Sequence, residues 1–417
     1  MLFPRVRSAA VVAAAVLSAS LPLSASTWRG EALLRDAGLA PWTLGPFRLQ
    51  PQIVLSDLGY DSNIYHQPEA VGDYSFTAGP RINAFLPIKK KIVFTLSESP
   101  RYVYYFETAR ERAWNNFLSG RAAFLFNRFF VQVGAHADDA RQRWSYEIDV
   151  RPRLKDTGYD ALLVWQPTRK TAFSLGFKRS RFRYEELGDE AFHFAERLNR
   201  DETAVTLAFE KRLGSRTRFF LEGEGARADF EQPGNPRDAL SLAGYGGFEF
   251  SAQGRVRGRL RLGWKLFRPR AEGQPEYEGL VGDSSVSVSL LRPLVARASY
   301  RRDVRFSISY DRSYFVEEAS GGGISFYVFG RRIRLDYDYS QVKYDYPDIA
   351  AVPGEGAAPV TPARRDRIYM NTVGFFVRVG GNVGLGLRAG RFDRRTSAAG
   401  WKANREFIGL SLTYEFQ

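Results

Sequence analysis

From Phe47 onward, apolar and polar residues change places at nearly every step. Phe47, Leu49, Pro51, Ile53 and Leu55 alternate with Arg48, Gln50 and Gln52, and Phe76 to Leu86 repeats the pattern. A period of two is that of a strand with two unlike faces. No helical period of any length follows Phe47, so the chain reads as all-β. The last stretch, Asn404 to Gln417, is the cleanest case. Ile408, Leu410, Leu412, Tyr414 and Phe416 share one face, and Phe407, Gly409, Ser411, Thr413 and Glu415 the other. Left open, such a strand is an edge that invites aggregation. Closed onto the strand at Phe47–Leu55, with lipid over its apolar face, it completes a barrel.

The connections strengthen that reading because their lengths alternate. Short ones include 87–90, 126–128, 166–169, 213–215, 252–254, 330–331 and 380–382. Between them come longer polar segments at 62–72, 107–113, 139–146, 185–199, 230–237, 269–279, 345–365 and 393–403. Tight turns at one rim and long loops at the other fit an outer-membrane barrel with short periplasmic turns. A soluble sandwich has no reason to sort its loops by parity. The expected fold is a transmembrane, antiparallel, up-and-down β-barrel of about 18 strands, with 16 as the fallback. Residues 146–166 and 280–316 leave the count open.

Mean hydropathy is -0.32, and past the N-terminus no run reaches the ~20 apolar residues of a spanning helix. The first residues read as an address: Arg5 and Arg7, an apolar run from Ala9 to about Leu23, then Ser24-Ala25-Ser26. That is the layout of a secretory signal peptide. The expected organisation is a signal peptide at 1–26, a short periplasmic segment at 27–46, and one barrel at 47–417. The expected location is the outer membrane of a Gram-negative bacterium.

The face opposite the apolar one is charged. Arg255, Arg257, Arg259, Arg261 and Lys265 alternate along one strand, and Arg332 and Arg334 keep register with Asp336 and Asp338. Arg151, Arg153, Arg305 and Arg378 occupy similar positions. An Arg or Lys facing lipid at the midplane costs ~2–4 kcal/mol, so these residues are expected to line a water-filled lumen. With a formal net charge of +14, such a lumen favours anions or polyhydroxylated solutes. Mutual pairing of Arg with Asp or Glu, holding the wall rigid, is the alternative. The 255–265 stripe has the largest excess of positive charge and is the expected functional surface.

Catalytic chemistry is not indicated. There is no cysteine, and His66, His136 and His193 are scattered without a serine motif. No metal site or cofactor is expected, and the secretory address argues against nucleic acid despite a pI near 9.8.

Leu58-Gly59-Tyr60-Asp61-Ser62-Asn63-Ile64 resembles the opening motif of β-barrel porin family 2. Gly282 to Leu290 and Arg301 to Ser307 are similar to later parts of the family's pattern. The resemblance implies a barrel that passes a secreted exopolysaccharide or capsule across the outer membrane. A periplasmic polysaccharide-export protein would be its partner, and the barrel-assembly machinery would read the closing strand. Asp61 and Asn63 read as a structural turn. An anion-selective or general diffusion porin, or a structural barrel with a plugged lumen, are the competing expectations.

Overall fold

The computed structural model describes residues 27–417 except 144, 148–149, 186–192, 253–254, 309–311, 348–363, 398–401 and 417. The signal-peptide expectation for 1–26 lies outside the described residues, as does most of the long loop at 345–365.

Eighteen antiparallel strands form one sheet that closes on itself. The first nine are β1 Phe47–Asp61, β2 Asp73–Ile88, β3 (Ile92–Glu98 and Arg101–Tyr105, broken at Ser99-Pro100), β4 Ala113–Leu125, β5 Phe129–Arg141, β6 Arg153–Thr168, β7 Thr171–Tyr184, β8 Arg200–Arg212 and β9 Thr217–Phe230. The remainder are β10 Ala239–Ala252, β11 Val256–Pro269, β12 Tyr277–Ser289, β13 Leu294–Phe306, β14 Tyr314–Val328, β15 Ile333–Asp345, β16 Arg365–Val379, β17 Val383–Thr396 and β18 Ala403–Glu415. The two ambiguous stretches resolve into β6 alone and into β12, β13 and β14. Every connection after an odd-numbered strand is long and every connection after an even-numbered one is tight, so the long loops share the extracellular rim.

Closure joins β1 to β18, from Gln52 opposite Glu415 to Asp61 opposite Phe407. The seam therefore sits higher on β1 than the Phe47–Leu55 pairing expected from the sequence. A bulge between Leu55 and Leu58 makes the correction, with Asp57 in the left-handed region at φ 55°. Gly59 lies against the Ile408 carbonyl, where an added Cβ would collide with backbone. Asp61 binds Arg405 with both oxygens at 2.8 Å from Nε, and Asn63 donates to the carbonyls of Gln67 and Asn404. The Leu58–Ile64 motif thus pins the top of the seam.

The outward face of β18 carries Ile408, Leu410, Leu412, Tyr414 and Phe416, with Ile408 50% and Leu410 51% exposed. Leu175, Leu207, Leu221, Leu262, Trp264, Leu335, Val373 and Phe375 continue an exposed apolar belt on neighbouring strands. A belt of this size on a closed barrel is a lipid-facing surface. No helix among the described residues is long and apolar enough to cross a membrane.

Residues 27–46, expected as a short periplasmic segment, include a helix and a short strand. α1, Thr27–Gly38, is a helix of 12 residues. Its Leu33 packs on inward-facing Ala123, Phe130, Leu162, Val164 and Ala172, near the periplasmic ends of β4 to β7. α1 therefore occupies the periplasmic mouth. A three-residue strand, Trp42–Leu44, then turns onto the start of β1, and the Trp42 ring meets Phe416 at 5.5 Å.

Leu410→Arg is expected to cost ~2–4 kcal/mol in reversible unfolding from lipid vesicles, and Thr413→Arg, on the inward face, well under half of that. Equal costs at the two positions would contradict the assignment of faces.

Candidate solute pathway through the lumen

Three groups of residues shape the interior: inward-folded loops at the extracellular side, a wall of ion pairs, and a wall of cations without carboxylate partners.

Tyr146 and Glu147, in the β5–β6 connection, reach residues of β15, β16 and β17 on the opposite side of the barrel. Tyr146 stacks near His66 at 6.0 Å and Phe392 at 5.3 Å, and its amide donates to the Tyr344 hydroxyl at 3.4 Å. The buried Glu147 carboxylate accepts the Ile308 amide at 3.0 Å and the Ser307 hydroxyl. Its carbonyl accepts from Arg364 at 3.4 Å and Arg394 at 3.2 Å. Ile308 and Ser307 belong to the β13–β14 connection, within the stretch 280–316 that left the strand count open. Their carbonyls accept from Arg197, in the short helix α2 (Phe194–Leu198), and from Arg237. Segments from several sides of the barrel thus meet around one carboxylate. Burial pushes the Glu147 carboxyl up, opposed by the bonds from Ser307 and Ile308 and by the charges of Arg364 and Arg237.

The wall from β8 to β15 balances its charges. Arg218 bridges Glu210 at 3.0 Å and Glu249. Arg261 pairs with Asp283 at 2.8 Å and with Glu222, and lies 3.4 Å over the Tyr245 ring. Arg259 is 3.7 Å from Glu222 and stacks on Phe220, and Lys265 is 2.6 Å from Asp303. Arg334 meets Asp336 at 2.8 Å, and Arg297 meets Asp338 at 2.9 Å. Arg301 pairs with Glu317, which is also 3.8 Å from Arg305.

The expected surface at 255–265 therefore needs correcting. Arg255 is exposed on the periplasmic turn, Arg257 is inward and exposed, and Arg259, Arg261 and Lys265 are tied into ion pairs. Four other expected lumen residues also sit differently. Arg153 faces outward, 2.6 Å from Asp139, because Leu154 takes the inward place. Arg332 is exposed on a turn, and Arg378 caps the Gly381 carbonyl at 2.7 Å and meets Glu415 at 3.2 Å on the periplasmic rim. Arg151 comes from the inward loop rather than a strand, reaching the Tyr105 hydroxyl and lying 3.9 Å from Glu111.

The sequence reading passed over the opposite wall. Arg121 of β4, Arg388 of β17, Arg81 of β2 and Arg101 of β3 point inward. They stand between four and nine residues above the periplasmic ends of their strands, a slanting series over roughly 15 Å at ~3.3 Å per residue. Among the described residues none of the four has a carboxylate within ion-pair distance. Arg121 is exposed to the lumen and the other three are half-buried. The available signal was a lone arginine at an inward position with no acid beside it, as in Ser119-Gly120-Arg121-Ala122. Among the described residues no group of three or more His, Asp or Glu could hold a metal ion.

No family model matches the chain, that of β-barrel porin family 2 included, and no curated protein is similar to it. Solved structures do overlay it. The outer-membrane protein OpdK of Pseudomonas aeruginosa matches with a TM-score of 0.51 at 11% identity, covering 88% of this chain and 98% of that one. OccK2 (OpdF) of the same organism gives 0.51 at 12% identity, with the same coverage. At such identity the likeness is one of fold. With the lipid-facing belt, it defines the class: a closed, 18-stranded, outer-membrane β-barrel. The expectation of polysaccharide export is overturned, since the barrels it overlays are Occ/Opd porins.

Glu147→Ala should release the Ser307–Ile308 segment and raise single-channel conductance about twofold, because a constriction held by one carboxylate loses its tether. Unchanged conductance would mean that these loops do not narrow the pathway.

His66 titrates in the opposite direction. Burial, then the charges of Arg143, Arg405, Arg394 and Arg151, hold its imidazole well below 6.5. A group whose folded value is depressed stabilises the fold above its unfolded value, and loses that contribution as pH falls through the folded one. Protease nicking of residues 62–72 should therefore rise as pH drops below about 6, and His66→Phe should flatten the dependence. Equal acid sensitivity in the variant would contradict this.

Proposed function

We propose that the chain is an outer-membrane porin that admits small anionic solutes, carboxylates foremost. The observation that carries the proposal is the asymmetry of the lumen. One wall is neutralised by ion pairs, and the other presents Arg121, Arg388, Arg81 and Arg101 without carboxylate partners. Cations that line a narrow aqueous path concentrate anions and exclude cations. Their staggered heights give an anion several successive sites, each weak enough to leave, as conduction requires. Arginine suits the carboxylate because its planar fork donates to both oxygens at once.

Two structures of the same fold were solved with ligands of this chemistry: OpdK with vanillate, at a TM-score of 0.50, and OccK2 (OpdF) in complex with glucuronate, at 0.51. Both ligands carry a carboxylate. They support the reading without carrying it.

The test is ion selectivity in planar bilayers under a salt gradient. Replacing Arg81, Arg121 and Arg388 together by Gln should lower the anion-to-cation permeability ratio about threefold or more. Arg257→Gln, at the mouth of the balanced wall, should change it far less. If the triple variant keeps the wild-type ratio, the pathway does not follow this wall.

A further inference from the structure

The outer wall carries a second charged feature, separate from the lumen. Directly opposed residues on five adjacent strands form one row: Arg302 on β13, Glu318 on β14, Lys343 on β15, Arg367 on β16 and Arg395 on β17. All five lie on the lipid-facing side of their strands, in phase with Ile324, Leu335, Val373 and Leu387 nearer the membrane centre. Neighbouring strands are ~4.8 Å apart, so Lys343, Arg367 and Arg395 set three cations side by side. Like charges directly opposite one another on a sheet repel.

The carboxylates nearby do not compensate the row. Glu318 is shared between Arg302 and Lys343, at 3.1 Å from each. Asp393 meets Arg395 at 3.0 Å, and Asp345 lies 3.5 Å from Arg365. Arg367, exposed and in the middle of the three cations, has no ion pair among the described residues. A hollow of about 300 Å³ opens beside it, lined by Glu318, Lys343, Asp345, Arg365, Asp366 and Arg367. The corresponding level on β6 to β8 also holds arginines, but there Arg179, Arg181 and Arg183 all meet Asp201.

Depth distinguishes the occupants. One step towards the membrane centre from the row lie Tyr300 and Tyr369, and a step further lies Tyr339. Aromatic residues of this kind mark the membrane interface. The cations therefore stand at the level of the outer leaflet's headgroups and face away from the lumen, where a permeating solute does not pass.

We propose that the outer wall of β13–β17 binds the phosphate groups of the anionic glycolipid of the outer leaflet. A phosphate between Arg367 and its neighbours supplies the missing negative charge, accepts charge-assisted hydrogen bonds from the guanidinium groups, and relieves the repulsion along the row. Lipid held there braces the barrel beside the place where β13 parts from β12. Their pairing stops at Gly282 and Arg302, while both strands continue upward.

The test uses the full chain in nonionic detergent, titrated with mixed micelles of a bis-phosphorylated lipid A glycolipid and read by native mass spectrometry. The combined variant Lys343→Gln, Arg367→Gln, Arg395→Gln should weaken binding about tenfold, since each charge-assisted bond to phosphate is lost. Arg181→Gln, in the compensated group on β7, should leave it unchanged. The dephosphorylated glycolipid should bind wild-type protein no better than the phosphorylated one binds the triple variant. Millimolar inorganic phosphate should not displace the lipid. Should the triple variant fail to show heat-modifiable, folded mobility, Arg367→Gln alone carries the test with a loss of about threefold. Equal binding by wild type and variant overturns the proposal. Displacement by inorganic phosphate assigns the site to a free anion and overturns the lipid as its occupant. Because these residues face outward, ion selectivity of the lumen is expected to stay at the wild-type value in every variant.

Discussion

A membrane offers no water to unpaired amides, so every backbone donor and acceptor within it needs a partner from the chain. The seam between β1 and β18 is where that requirement is met last, and the barrel exists only because it is met. The seam is also the least regular pairing, with a bulge at residues 56–57, a glycine against the Ile408 carbonyl, and the Asp61–Arg405 clasp at its top. Once it closes, the period-two alternation sorts every side chain to lipid or to lumen. The charged half of the sequence then has one place to go.

What the lumen does with that charge follows from neighbours that are distant in sequence. Glu222 of β9 neutralises Arg261 of β11, and Asp303 of β13 neutralises Lys265. These pairs stiffen the wall from β8 to β15 and withdraw its cations from competition for solute. Where no carboxylate comes within ion-pair distance among the described residues, as at Arg121 and Arg388, more of the field remains available. In the function proposed here, selectivity rests on the absence of ion-pair partners on one wall as much as on the presence of arginine.

The barrel was legible in the sequence because its two strongest signals are local: alternation along each strand and the parity of the loops. The alternation that puts Ile408, Leu410, Leu412, Tyr414 and Phe416 on one side of the closing segment could be read directly from spacing. The lumen was harder. The stretches holding Tyr146–Glu147 and Ser307–Ile308 alternate as strands do, yet these residues belong to inward-folded loops and pack against other loops rather than lipid. Tyr146 against His66 and Phe392, and Ile308 beside Leu154, Phe182 and Phe194, show this. The densest arginine stripe drew attention to 255–265, but charge density along one strand says nothing of the acids across from it. Polysaccharide export rested on short motifs, and Asp61 and Asn63 in one of them turn out to fasten the seam.

A cationic, unbalanced pathway shows itself in the reversal potential of the wild-type protein. In a planar bilayer under a potassium chloride gradient, the sign of that potential should show preference for chloride. A sign showing preference for potassium would contradict it.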